Sequence, residues 1–207
     1  MSSDSAVIEI SDYQYDVLRE LINIGIGSAA GVLNQMVSSH VTLRVPEIMI
    51  LSPAELLRQP STCDWGRGVA IHIEFGGAFQ GVTSLIFSPQ SASNLVSLLV
   101  GQEDFGLDME SLRIGTLQEV GNIVLNGVMG TIANMLAEHI DYMPPDYFED
   151  EIANVLPTNG QEDGVIIFIR ANFLIEAHLV EGEVLIFFNA STLEELLKKI
   201  DAKLGLA

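Results

Sequence analysis

Apolar residues recur at helical spacing between Tyr13 and Val37, through Val17, Leu18, Leu21, Ile22, Ile24, Leu33 and Val37, behind a Ser11 suited to cap a helix. The pattern predicts a long amphipathic helix. It returns between Ser111 and Glu138, through Leu112, Leu117, Val120, Ile123, Val124, Ile132, Met135 and Leu136. After the first helix come three strand-like runs, Val41 to Leu51, Val69 to Phe75 and Phe79 to Phe87, the last two joined across Gly76-Gly77 as in a hairpin. The second half supplies Glu151 to Leu156, Val165 to Ala177 and Glu183 to Phe188, with Glu181-Gly182 read as the turn. Each half closes on a helix, Pro89 to Leu99 and Thr192 to Leu204.

The halves align at an offset of 99, which puts Glu20 on Glu119, Asn23 on Asn122, Ile24 on Ile123, Gly31 on Gly130, Met36 on Met135, His40 on His139 and Pro46 on Pro145. The chain therefore reads as one domain over 1–207, made of half-repeats at about 11–105 and 110–205 joined near Gly101 to Asp108. Two helix-three strand-helix units, each with an open sheet edge, would join about a pseudo-twofold axis into one mainly antiparallel sheet covered by helices. The expected fold class is α+β. Gly25, Gly27 and Gly31 in the first helix, and Gly115, Gly121, Gly127 and Gly130 in the second, each cost a helix about 0.5–1 kcal/mol relative to Ala. Such a cost predicts a close approach of the two helices to each other or to the sheet.

With 48% hydrophobic but only 7% aromatic residues, the core is expected to be aliphatic. The 28 acidic and 9 basic residues leave a net charge of −19, which repels nucleic acid and anionic membrane surfaces. No apolar run reaches the ~18 residues of a membrane span, and a lone Cys63 with no N-terminal leader pattern predicts a cytoplasmic protein.

Glu20/Asn23 and Glu119/Asn122 are the pairs that invite a chemical reading. Residues i and i+3 share a helix face, and Asn is a poor choice for a helix interior because its side chain competes with its own backbone. The bland alternative is a structural polar contact, which a repeat can also preserve, though duplication in register weighs against it. Other candidates are weaker. His40 and His139 fall just past a helix, where an imidazolium would cap the C-terminus. His72, His178 and Cys63 have no metal-ligand spacing, so no metal or cofactor of the protein's own is expected. Pro46 and Pro145 would interrupt strand pairing or set a bend at strand starts.

The spacing resembles the motif of the CheC, CheX and FliY phosphatases of bacterial chemotaxis: an acidic or Ser residue, three residues, Glu, two residues, Asn, twenty-two residues and Pro. Asp16, Glu20, Asn23 and Pro46 fit it, as do Glu119, Asn122 and Pro145; Gly115 stands where the family has Asp or Ser. The resemblance implies a CheC-like fold and hydrolysis of the phosphoaspartate of a CheY-like response regulator. Asn would position the attacking water, and Glu would dock on the receiver's Lys. Mg²⁺ would come with the receiver. Asp16 is an expected receiver contact. With Gly115 at the second site, both sites are expected to act, the first more strongly, as two exposed patches without a deep pocket. CheD is a second candidate partner. The alternative is a non-catalytic receiver- or CheD-binding adaptor, a role suited to the related FliM fold, which lacks the Glu/Asn pairs. The monomer or dimer state is left open.

Overall fold

A reciprocal cap starts the first helix, α1 (Asp12–Met36): Gln14 N–H donates to Ser11 Oγ at 3.2 Å and Ser11 N–H donates to Gln14 Oε1 at 3.0 Å. This is seen in a computed structural model that describes residues 10–36, 40–56, 58, 66–100, 109–156, 164–175, 178–203 and 205. There follow β1 (Val41–Leu51), a single helical turn α2 (Pro53–Leu56), the hairpin β2 (Arg67–Gly77) and β3 (Gly81–Phe87), and α3 (Pro89–Val100). The second half runs α4 (Met109–Leu136), β4 (Ile140–Tyr142), β5 (Asp146–Glu151), α5 (Ile152–Val155), β6 (Gly164–Ile175), β7 (His178–Asn189) and α6 (Ala190–Lys203). Adding 99 to the bounds of α1 gives 111–135, to β1 140–150, to α2 152–155, to β2 166–176 and to β3 180–186, and each range falls on its counterpart.

The seven described strands form one antiparallel sheet in the order β1-β6-β7-β3-β2, with β4 and β5 both on the outer side of β2. Exchanging the halves reverses this order onto itself. The pair Leu85↔Val184 is its own image under the offset, and Ser84↔Leu185 is the image of Ile86↔Glu183, so the pseudo-twofold axis passes through the β3–β7 seam. The topology also hands a strand across: β1 of the first half pairs with β6 of the second, and β4 and β5 of the second pair with β2 of the first.

Alternate residues of the central strands feed two cores. On one face Val69, Ile71, Ile167, Ile169, Val184 and Ile186 pack with the four long helices; on the other, Ala70, Ile86, Ile166, Phe168, Leu185 and Phe187 pack under the short turns α2 and α5. Burial on both faces is why these strands read as unbroken apolar runs. The predicted close approach is present: a Cβ on Gly25 would lie 2.7 Å from both the Gly127 carbonyl oxygen and Val128 Cα, and one on Gly121 would lie 2.5 Å from Ile71 Cγ2. Gly27, Gly31, Gly115 and Gly130 have no such neighbour.

Three expectations are corrected. The strand read at Glu151 to Leu156 is the end of β5 followed by α5, and the true edge strands β4 and β5 lie earlier, in an acidic, Pro-containing stretch. An edge strand exposed over most of its length needs no apolar alternation, so that signal is missing. Glu181-Gly182 is not a turn but lies inside β7, where a Cβ on Gly182 would sit 2.5 Å from the Phe87 ring. Likewise β2 runs on through Gly77, which has a φ of 103° and where a Cβ would lie 2.8 Å from the His139 carbonyl oxygen, and β3 begins at Gly81 rather than Phe79. The proposed link Gly101 to Asp108, together with Val37, Cys63, Ala177 and Leu204, lies outside the described residues.

Candidate functional site

The apolar stripe of α1 buries Leu18, Leu21, Ile22, Ile26 and Leu33, which turns Asp16, Glu20 and Asn23 outward together. All three are exposed, with Ile24 beside them at 50%. Tyr15 Oη–H donates to the Ile48 carbonyl at 2.7 Å and ties this turn of the helix to β1. Asp16 accepts a bond from Arg19 at 2.9 Å. Asn23 makes no side-chain hydrogen bond to another described residue, so both its carbonyl and its NH₂ are open to a partner.

On α4, Val120, Gly121, Val124, Leu125 and Val128 face the core. Glu119 is exposed and Asn122 half-buried. Gln118 Nε2–H donates to the Pro145 carbonyl at 2.8 Å, so the turn carrying Glu119 is held against the break between β4 and β5. Pro145 lies in that break, directly before β5, and Pro46 in the register shift of β1 between Arg44 and Glu47, so both prolines interrupt strand pairing. Farther up the helix, the Arg113 guanidinium donates at 2.7 Å to both Tyr147 Oη and Glu149 Oε2. Burial and the hydrogen bond to Glu149 push the Tyr147 hydroxyl up to about 12, and bonds from Tyr147 and Arg113 hold the Glu149 carboxyl below the usual range. The start of α4 is thereby pinned to β5.

The two places differ in two respects. A Cβ on Gly115 would touch nothing, and the space left there opens into an apolar cavity of about 360 Å³ between α3 and α4, with Leu99, Val100, Leu112 and Ile123 in its wall and Glu119 at its rim. This is an open apolar depression rather than a deep pocket, and Glu119 beside it remains exposed. The other difference is Asn126, which the sequence reading passed over. Its Nδ2–H donates to Asn122 Oδ1 at 2.7 Å. The available signal was an Asn four residues after Asn122 where the first half has Gly27.

Among the described residues neither His40 nor His139 is seen bonded to a helix-terminal carbonyl, and residues 37–39, just before His40, lie outside them. His139 pairs with Asp141 at 3.1 Å and His40 lies 3.5 Å from Thr42 Oγ1, both turned toward the following strand. At the end of α4 the terminal carbonyls are met instead by the backbone N–H groups of Ala137 and Glu138. His72 Nε2 lies 2.8 Å from the Val155 carbonyl, and His178 is exposed at the start of β7. Among the described residues no group of three or more His, Cys, Asp or Glu could hold a metal ion, and no helix is long and apolar enough to cross a membrane.

No protein-family model matches the chain. It is similar to the flagellar motor switch phosphatase FliY of Bacillus subtilis (strain 168), 20% identical over 182 residues, which cover 84% of this chain and 47% of that one. It is also similar to the CheY-P phosphatase CheC of the same organism, 26% identical over 129 residues, 61% of either chain. The matches thus span less than two thirds of these curated relatives. Among solved structures, Thermotoga maritima FliY superposes with a TM-score of 0.74 at 16% identity, covering 95% of this chain and 100% of that one. FliM from a FliM-SpeE complex of H. pylori gives 0.70 at 14% identity, covering 94% and 98%. A CheX-CheY-BeF3-Mg+2 complex from Borrelia burgdorferi gives 0.53 at 17% identity, covering 82% and 98%.

Proposed function

We propose, from the premise that this chain belongs to the CheC/CheX/FliY family, that it hydrolyses the phosphoaspartate of a CheY-like response regulator. The observation that carries the proposal is the recurrence of Glu and Asn, one turn apart, at equivalent outward positions of two helices related by the pseudo-twofold axis. A receiver brings its own Mg²⁺ and Lys to the phosphoryl group, so the phosphatase has only to dock and to place a water in line with phosphorus. Asn23 and Asn122 suit that task. A carboxamide carbonyl accepts a hydrogen bond from the water while its NH₂ faces the phosphoryl oxygens, and it brings no negative charge to repel them. Glu20 and Glu119, one turn earlier, pair with the receiver's Lys and set the docking register, with Asp16 as a further contact at the first site. The water attacks phosphorus, the aspartyl oxygen–phosphorus bond breaks, and inorganic phosphate, carrying the water's oxygen and protons, leaves the receiver's aspartate as a carboxylate.

The test is phosphate release from a panel of phosphorylated receivers. Asn23→Ala and Asn122→Ala should each lower kcat with little change in KM, the double variant should fall to the receiver's own rate, and Glu20→Ala should mainly raise KM. Full activity in the double variant ends this reading. The likeness to FliM favours a second one, a non-catalytic adaptor for a receiver or CheD, and receiver binding by the wild type without phosphate release would decide for it.

A further inference from the structure

The hydrogen bond between Asn126 and Asn122 has no counterpart in the first half. Asn126 lies one turn after Asn122 on the same helix face. Its Nδ2–H donates to Asn122 Oδ1 at 2.7 Å, while its own Oδ1 is buried without a partner. An Asn in a helix interior with an unsatisfied buried carbonyl is a poor choice for stability. Its visible effect is to fix the neighbouring carboxamide: with one lone pair of Asn122 Oδ1 engaged, the amide keeps one orientation, its second lone pair stays available and its NH₂ is turned away from Asn126. At the equivalent of Asn126 the first half has Gly27, where an added Cβ would meet no neighbouring element within 4 Å, and Asn23 is exposed without an internal bond. The second amide thus has an internal bond to orient it before a partner docks, and the first has none.

We infer that Asn126 is a positioning residue of the second site, holding the Asn122 carboxamide in the orientation that receives water and phosphoryl group; the inference rests on the phosphatase reading above. It offsets what that site lacks at Gly115, by ordering the amide where the first site has Asp16 to support docking.

The test isolates the second site in an Asn23→Ala background and adds Asn126→Ala. The expected result is a kcat about threefold to tenfold lower, with KM for the phosphorylated receiver within about twofold, as for loss of alignment rather than of binding. The melting temperature should not fall, because the variant removes an unsatisfied buried carbonyl and introduces a better helix former. An unchanged or raised kcat overturns the inference, as does an Asn23→Ala protein with no activity at all. A kcat loss that tracks a lower melting temperature also overturns it, by making Asn126 structural. A readout without substrate stands beside this: side-chain amide ¹⁵N relaxation should show Asn122 more ordered than Asn23, and Asn126→Ala should bring it down to Asn23. Equal order in the wild type refutes the proposal. If the wild type releases no phosphate, the phosphatase reading fails by itself, and the relaxation measurement still decides the role of Asn126.

Discussion

At the scale of single residues, His72 is the group whose ionisation bears on folding. It sits on β2 opposite Asp146, stacks on Phe148 at 4.7 Å between ring centroids, and lies 2.8 Å from the Val155 carbonyl, a geometry in which its Nε2–H donates. Burial lowers its pKa from 6.5, outweighing the bond to Val155 and the charge of Asp146, which act the other way. The sign follows. Above 6.5 the ring is neutral both folded and unfolded, and its contribution to stability is intact. As the pH falls below 6.5 the unfolded chain takes up a proton that the folded chain refuses, so stability is lost until the folded-state pKa is passed. The wild type should thus melt lower at pH 5.5 than at pH 7.5, and His72→Gln, which retains an N–H donor, should lose part of that difference. An identical pH dependence in both proteins would falsify the assignment. Glu20, Asn23, Glu119 and Asn122 stand out in the sequence as candidates because residue type and repeat phase single them out. Asn126 does not, because an Asn present in one copy only carries no repeat signal.

At the scale of elements, the glycines of the long helices divide into two kinds. Gly25 is required by contact: its Cβ would meet backbone atoms of α4, which cannot swing aside as a side-chain tip can. Gly25→Ala should cost about 1–3 kcal/mol, at the upper end because both clashes are with main chain. Gly31 faces open space, and Gly31→Ala should stabilise by about 0.5–1 kcal/mol. Denaturant midpoints of the two variants should move in opposite directions, and a shared direction would contradict the helix crossing described here. The sequence foresaw that some glycines mark a close approach but not which ones, since composition does not say which helix face meets the neighbour. Strand assignments divide in the same way. The doubly buried β6 and the second half of β7 were legible as apolar runs, whereas β4 and β5, lying on an edge with most of their residues wet, had little apolar pattern to display.

At the scale of the molecule, the crossing of strands between halves makes the repeat inseparable. Residues 10–100 expressed alone would keep β2 and β3 but leave β1 without β6, and β2 without β4 and β5. Such a fragment should not be a folded monomer; it should be either unfolded or paired with a second copy that supplies the missing strand. Sedimentation with circular dichroism checks this, and a monomeric fragment with native-like helix and sheet content would contradict it. The same crossing has a consequence during synthesis. β1 pairs with β6 from Leu51↔Ile166 to Val41↔Ile175, so its partner residues emerge 166 − 51 = 115 to 175 − 41 = 134 residues later. At about 5–20 residues per second, the newborn strand waits on the order of 6–27 s for its partner. Through that interval the run Ile48, Met49, Ile50, Leu51 hangs from the ribosome with its backbone edge unclaimed. Folding of the first half before the second has been made must therefore stop short of its own first strand.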